Sequence, residues 1–316
     1  MGGIILRRLA GAVPILLIVS VITFGMIHMI PGDPAVAIAG MSATPDQILA
    51  IRHNLGLDEP VWSQLFHWYE NLLRGNLGVS LLLGQPVLQV VGVRLPVTLA
   101  LSAYALVITL LIGLGSGIIA ALRQNTWIDQ AAMIFAMLGI SLPNFYLGLL
   151  MIIVLAVDLR WLPTGGYVAF TDDPLGWLAT STMPAISLAL LLAGLLARIT
   201  RSTMLEVLRQ DYIRTARAKG LPESRVVLRH ALANALIPIT TVVGIIVSLL
   251  LSGSVVTETL FSIPGIGQLL TQAVLNRDYP MVQGGLLVTT ALLVLVNIGV
   301  DVCYALLDPR VRYDRG

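Results

Sequence analysis

Apolar residues fall in six long runs, separated by shorter segments where polar residues, proline and glycine cluster. A helix rising 1.5 Å per residue needs about 20 apolar residues to cross a bilayer. The runs at 9–30, 99–122, 131–157, 183–200, 236–257 and 281–307 meet or approach that length and predict six membrane-spanning helices. The fourth is the shortest and ends in Arg198 and Arg201, whose long side chains can reach the interface. The first run is too long for the apolar part of a cleaved signal peptide. Pro31-Gly32-Asp33-Pro34 also separates it from the small-residue stretch Ala35-Val36-Ala37, so an uncleaved helix is expected.

The segments between the runs carry their own punctuation. In 31–98, Thr44 is an N-cap candidate before Pro45, and Gly56 ends that short helix. Asp58 is the expected cap of a second helix with Trp62, Leu65, Phe66, Tyr69, Leu72 and Leu73 on one stripe. That stripe suits packing on the bundle, a place at the membrane interface, or an external partner. In 201–235 a helix through 212–219 ends at Gly220. Pro222, at or near the first helical position, starts the next. Thr215, Ala216 and Ala218 are small residues that let another backbone approach closely. In 258–280, Ile263-Pro264-Gly265-Ile266-Gly267 is a turn before a short apolar helix, 268–275. Its composition predicts a segment folded back onto the bundle.

Composition agrees with a lipid solvent. Of the 316 residues, 57% are hydrophobic and only 11% charged, less than half the charged share of soluble domains. Alternating the segments across the membrane with the N-terminus inside puts 14 of the 19 basic residues on the cytoplasmic side. Both termini are therefore expected in the cytoplasm.

Several chemistries are excluded. The only lysine, Lys219, lies between Ala218 and Gly220, so no phosphate-binding G-x-x-x-x-G-K-[ST] loop exists. The single cysteine, Cys303, permits no intrachain disulfide. His28, His53, His67 and His230 do not pair at i, i+4, and no G-x-S-x-G occurs. Within the runs, Asp301 and Glu258 are the notable acids. Each suits a structural ion pair near a membrane face, and Asp301 alternatively a proton or ion site. Pro143 interrupts the third run and can kink a pore-lining helix or simply bend it. Gly113, Gly115 and Gly117 give the second run the small-residue spacing of tightly packed helices.

An ordered set of motifs runs the length of the chain. It comprises Arg7-Arg8-Leu9, Pro31-Gly32-Asp33-Pro34, Leu55-Gly56-Leu57-Asp58, Gly75-Asn76-Leu77-Gly78, Gly139-Ile140-Ser141-Leu142-Pro143 and Trp161-Leu162-Pro163. Then come Asp211-Tyr212-Ile213-Arg214-Thr215-Ala216-Arg217-Ala218-Lys219-Gly220-Leu221, His230-Ala231-Leu232-Ala233-Asn234-Ala235-Leu236-Ile237-Pro238, Phe261-Ser262-Ile263-Pro264-Gly265-Ile266-Gly267, Arg277-Asp278-Tyr279-Pro280 and Asp308-Pro309-Arg310-Val311-Arg312-Tyr313. With these the chain resembles the inner-membrane permease subunits of ABC importers for peptides, nickel and related solutes. It is most similar to the B-type subunit of dipeptide and oligopeptide systems or the glutathione permease.

The resemblance implies an all-α integral membrane fold of the type I ABC importer permease kind, with six transmembrane helices. It divides the chain into a first helix (1–30), an extracytoplasmic segment (31–98), a five-helix core (99–307) with a cytoplasmic coupling loop (201–235), and a tail (308–316). It places ATPase coupling on Asp211, Arg214, Thr215, Ala216, Gly220 and Leu221. It also implies a non-catalytic subunit in the bacterial inner membrane. Its partners would be a second homologous permease, two ATPase subunits holding ATP and Mg, and an extracytoplasmic solute-binding protein. No cofactor, metal or nucleic acid is expected on the chain itself. The sequence departs from the general importer loop, with Arg214 and Thr215 in place of Glu-Ala and Ala233 in place of a proline. Asn76 stands where an Asp is common. Two other classes remain: a secondary transporter or channel using Asp301, and a membrane anchor or receptor.

Overall fold

The computed structural model describes residues 2–29, 35–36, 44–54, 56 and 58–307, with side chains omitted at 2–7, 26–29, 51, 54, 301 and 303–307. Among these residues the structure is helical, with one isolated bridge between Val79 and Pro86. The helices are α1 (Gly2–Met29), α2 (Pro45–Asn54), α3 (Val61–Leu73), α4 (Val87–Leu122), α5 (Trp127–Ser141) and α6 (Asn144–Met151), the last continued by a π-helical stretch, Ile152–Asp158. They continue as α7 (Pro174–Leu208), α8 (Asp211–Ala218), α9 (Glu223–Leu260), α10 (Ile266–Leu275) and α11 (Tyr279–Leu307). The first turns of α9, Val226–Ala231, are also π-helical.

Five helices are long and apolar enough to cross a membrane: α1, α4, α7, α9 and α11. The third predicted span is not one helix. Its halves, α5 and α6, are bent by 102°. Leu142 and Pro143 both sit in extended backbone (ψ 126° and 138°). Proline disfavours the helical conformation of the residue before it, so two consecutive residues leave the helix and the chain turns a corner. The fourth span is longer than its apolar run. Asp173 accepts the Leu175 N–H at 3.0 Å and Pro174 opens the helix, which then runs 35 residues. α7 therefore takes in residues 201–208 of the expected loop 201–235.

The chain forms two compact units, one of Val97–Gly265 with the chain from Val296, the other of Gly2–Pro96 with Ile266–Leu295. In the first, α7 is the central element. Ala185, Ala189, Ala193 and Ala197, four residues apart, are essentially fully buried. Without water to drive association, helices in lipid hold by close contact of small residues. A Cβ on Gly194 would stand 2.3 Å from the Ala136 carbonyl oxygen, and one on Gly139 would stand 2.8 Å from that of Leu190. These glycines let α5 and α7 touch backbone to backbone. Gly117 of α4 does the same against Ala197 and also meets the Thr200 side chain, Gly113 makes room for the Leu196 side chain, and Gly115 meets nothing within 4 Å.

In the second unit, Val87, Val90 and Val91 of α4 pack with Ile266, Leu269 and Ala273 of α10 and Met281 of α11. The turn 80–83 is pinned to the start of α11. Buried Asp278 accepts from the Ser80 hydroxyl and from the amides of Leu81 (3.1 Å) and Leu82 (3.2 Å), and caps α11 through the Met281 amide (3.3 Å). Thr44 and Gln47 form a reciprocal capping box at α2. Asp58 does not cap α3. That helix starts after Pro60, and Glu59 holds its first turn by accepting from the Ser63 hydroxyl at 2.6 Å, a bond that keeps the Glu59 carboxyl below the usual range. Asp58 instead lies 3.9 Å from Arg52 and 3.8 Å from His53.

Candidate functional site

α7 contains 35 residues, about 52 Å at helical rise. That exceeds the roughly 30 Å hydrocarbon thickness, so an end of the helix stands clear of the apolar layer. Its C-terminal end leads through Arg209 and Gln210 into α8. Ile213 and Ala216 of α8 are buried and join Met204, Val226, Val227 and Ala231 in one core cluster. The opposite face is open. Asp211, Tyr212, Arg214, Thr215, Arg217, Ala218 and Lys219 are exposed.

The end of α8 is closed by two hydrogen bonds. The Gly220 amide donates to the Arg217 carbonyl (2.9 Å) and the Leu221 amide to the Ala216 carbonyl (3.4 Å). Gly220 has φ +75°, the left-handed conformation this double closure needs and glycine adopts most easily. Pro222 then stands one residue before α9, and Arg217 bridges the turn to Glu223 with two bonds of 3.1 and 2.6 Å. The result is a short helix and a tight corner, pinned from inside by Ile213 and Ala216 and cross-braced by an ion pair. Among the described residues no group of three His, Cys, Asp or Glu side chains could hold a metal. The surface offers shape and charge, with Arg209, Arg214, Lys219, Arg225 and Arg229 exposed around it.

The structure sorts the residues singled out above. Asp211, Arg214, Thr215 and Gly220 are on the open face. Ala216 points into the core, and Leu221 is half-buried against that core. The small residues available to an approaching backbone are therefore Thr215, Ala218 and Gly220. Pro143 lies at the α5–α6 corner. Glu258 is fully buried, accepts from the Thr98 hydroxyl at 2.7 Å, and packs where a Cβ on Gly265 would be. Asp301 lies on α11, and its side chain falls outside the described residues.

One buried pair near the site was not foreseen. Arg201 of α7 grips Asp129 of α5 with both arms, Nε at 2.5 Å and Nη2 at 2.7 Å, and Asp129 also accepts the Asn125 amide at 3.0 Å. The available signal was Thr126-Trp127-Ile128-Asp129, a capping-box spacing before an apolar run.

Comparison with known proteins completes the picture. Residues 113–313 match the family described as binding-protein-dependent transport system inner membrane component, and residues 1–102 match the N-terminal component of such systems. The chain is 50% identical over 314 residues to a putative peptide transport system permease protein of Brucella abortus, covering 99% of this chain and 100% of that one. It is 40% identical to the dipeptide transport system permease protein DppB of Alkalihalophilus pseudofirmus and 42% identical to the glutathione transport system permease protein GsiC of Escherichia coli, each over 98% of both chains. The fold is that of the inward-facing MetNI methionine ABC transporter (TM-score 0.58, 18% identity, 70% of this chain and 97% of that one).

Long apolar helices on a small-residue core make this a multi-pass membrane protein, and the family match adds that it is a permease, which implies ATPase partners. The chain belongs to the binding-protein-dependent transport family and is the membrane-spanning permease subunit of an ABC importer.

Proposed function

We propose that this subunit carries short peptides or similar small solutes across a bacterial inner membrane. It pairs with a second homologous permease and is driven by two separate ATPase subunits. ATP and Mg bind on those partners, an extracytoplasmic binding protein delivers the solute, and this chain makes no covalent chemistry. The peptide class rests on the relatives, named for peptide, dipeptide and glutathione transport.

The observation that carries the coupling role is the α8–Gly220 corner. Its open face is free for a partner, while its inner face is part of the permease core. A push on such a corner moves the ends of α7 and α9 rather than bending a loose loop. A motor bound there would bias the bundle between two arrangements.

The test is Gly220→Pro, assayed in membranes beside the unmodified chain. Proline fixes φ near −65° and removes the amide that bonds Arg217, so the corner opens. Uptake of a labelled dipeptide falls to background while membrane insertion is unchanged. Unchanged ATP-dependent uptake would remove the corner from the mechanism. Purification in mild detergent tests the assembly: a second permease and ATPase subunits accompany the chain, and recovery of an isolated chain that moves solute without ATP would overturn it.

A further inference from the structure

The helix α3 has two faces of different chemistry. Trp62, Phe66, Tyr69 and Leu73 follow one another at helical spacing, flanked by Leu65, Trp68 and Leu72. Ser63, Gln64, His67, Glu70, Asn71 and Arg74 occupy the opposite side. Among the described residues, one edge of the apolar face is covered. The Ser20 hydroxyl donates to the Leu17 carbonyl at 2.7 Å and therefore accepts from Tyr69, 2.6 Å away, and the Trp68 ring sits 5.8 Å from Phe24. The other edge is open, with Trp62 75%, Phe66 69% and Leu73 88% exposed.

The contacts to α1 set α3 beside a membrane-spanning segment. Ser20 and Phe24 both lie in the apolar part of α1, so Tyr69 and Trp68 are held against a helix long and apolar enough to cross the membrane. Helices lying in the plane of a membrane bury their apolar face in the headgroup boundary. On α1, Leu17, Ile18, Val21 and Ile22 are also more than half exposed. The open edge of α3 thus belongs to a helix packed on a membrane-spanning segment whose own apolar side chains are exposed. On the polar side Glu70 pairs with Arg74 (2.5 Å) and the Glu59 carboxylate lies 3.2 Å from the His67 ring, an arrangement compatible with the headgroup region.

We propose that α3 is an in-plane helix of the leaflet at the C-terminal end of α1, with Trp62, Phe66 and Leu73 inserted among lipid chains. The segment between α1 and α4 is then moored to the bilayer along this helix.

Spin labels test this on the full-length chain in phosphatidylcholine bilayers, in a Cys303→Ser background. Labels at Trp62→Cys, Phe66→Cys and Leu73→Cys collide several-fold more with oxygen, which concentrates in lipid, than with a water-soluble nickel chelate. Labels at Ser63→Cys and Asn71→Cys show the reverse. Every site is exposed or half-exposed, so the labels need not disturb the fold. If the chelate reached the first three sites as readily as the last two, the face would be aqueous and the proposal overturned. Exclusion of both reagents from the first three would mean a protein surface covers them, and would overturn it equally.

Discussion

Asp129 and Arg201 put two opposite charges where water is scarce, Asp129 with 5% of its side chain exposed and Arg201 with 25%. Removing one partner leaves the other charge unpaired. For fully buried pairs that costs about 3–5 kcal/mol, and the partial exposure of Arg201 places this one near about 3 kcal/mol. Asp129→Asn should therefore lower the thermal midpoint of the detergent-solubilised subunit by several degrees. The double change Asp129→Asn with Arg201→Gln should recover most of the loss, because no net charge then remains buried. Equal loss in the single and double variants would show that the pair does not act as an ion pair. Legibility at this scale followed locality. The Thr44–Gln47 box and the left-handed Gly220 are dictated by neighbours a few residues away, and their residue types announce them. The grip of Arg201 on Asp129 spans 72 positions and depends on how α5 packs against α7. Arginine at the end of an apolar run looks like a snorkelling residue until its partner is seen.

At the scale of elements, apolar runs marked the helices but not their ends. α4 begins at Val87, a dozen residues before its strongest apolar stretch, because Val87, Val90 and Val91 are buried in their own small core. The start of α7 was written in Asp173-Pro174, a cap followed by a proline, which a hydropathy scan passes over. The corner at Pro143 was legible as an interruption. Its 102° came from Leu142 and Pro143 leaving the helix together. Asp278 shows how one side chain can define two elements, the turn 80–83 and the start of α11. Asp278→Ala removes the acceptor of three buried or half-buried amides and the Ser80 hydroxyl. Hydrogen exchange at Leu81, Leu82 and Met281 should then speed by at least tenfold, the equivalent of about 1.4 kcal/mol of lost local stability. Unchanged exchange at Leu81 and Leu82 would mean the turn holds without the clamp.

For the whole molecule, five membrane-length helices and the helical architecture of the described residues were readable because bilayer thickness imposes a length on the sequence, while the sixth predicted crossing is the bent pair α5–α6. The division into two compact units was not, since each unit draws on separated stretches of chain. Sidedness is a property of the whole chain and is argued from the arginines: with α8 inside, most basic residues face the cytoplasm. Cysteines at Thr215, on α8, and at Thr171, just before α7, are both exposed. In a Cys303→Ser background, an impermeant maleimide should label Thr171→Cys in spheroplasts and Thr215→Cys only in inverted vesicles. The opposite pattern would invert the topology.

The Asp278 clamp also bears on how the chain is made. Ser80 and Asp278 are 198 positions apart. At about 5–20 residues per second, a ribosome needs about 10–40 s to travel from one to the other. Throughout that interval the turn 80–83 and the valine face of α4 exist without the segments that cover them. Completion of this part of the fold therefore waits on the residues from Ile266 onward, about the last sixth of the chain, and a chain truncated before residue 278 leaves the machinery with its opening segment unfinished.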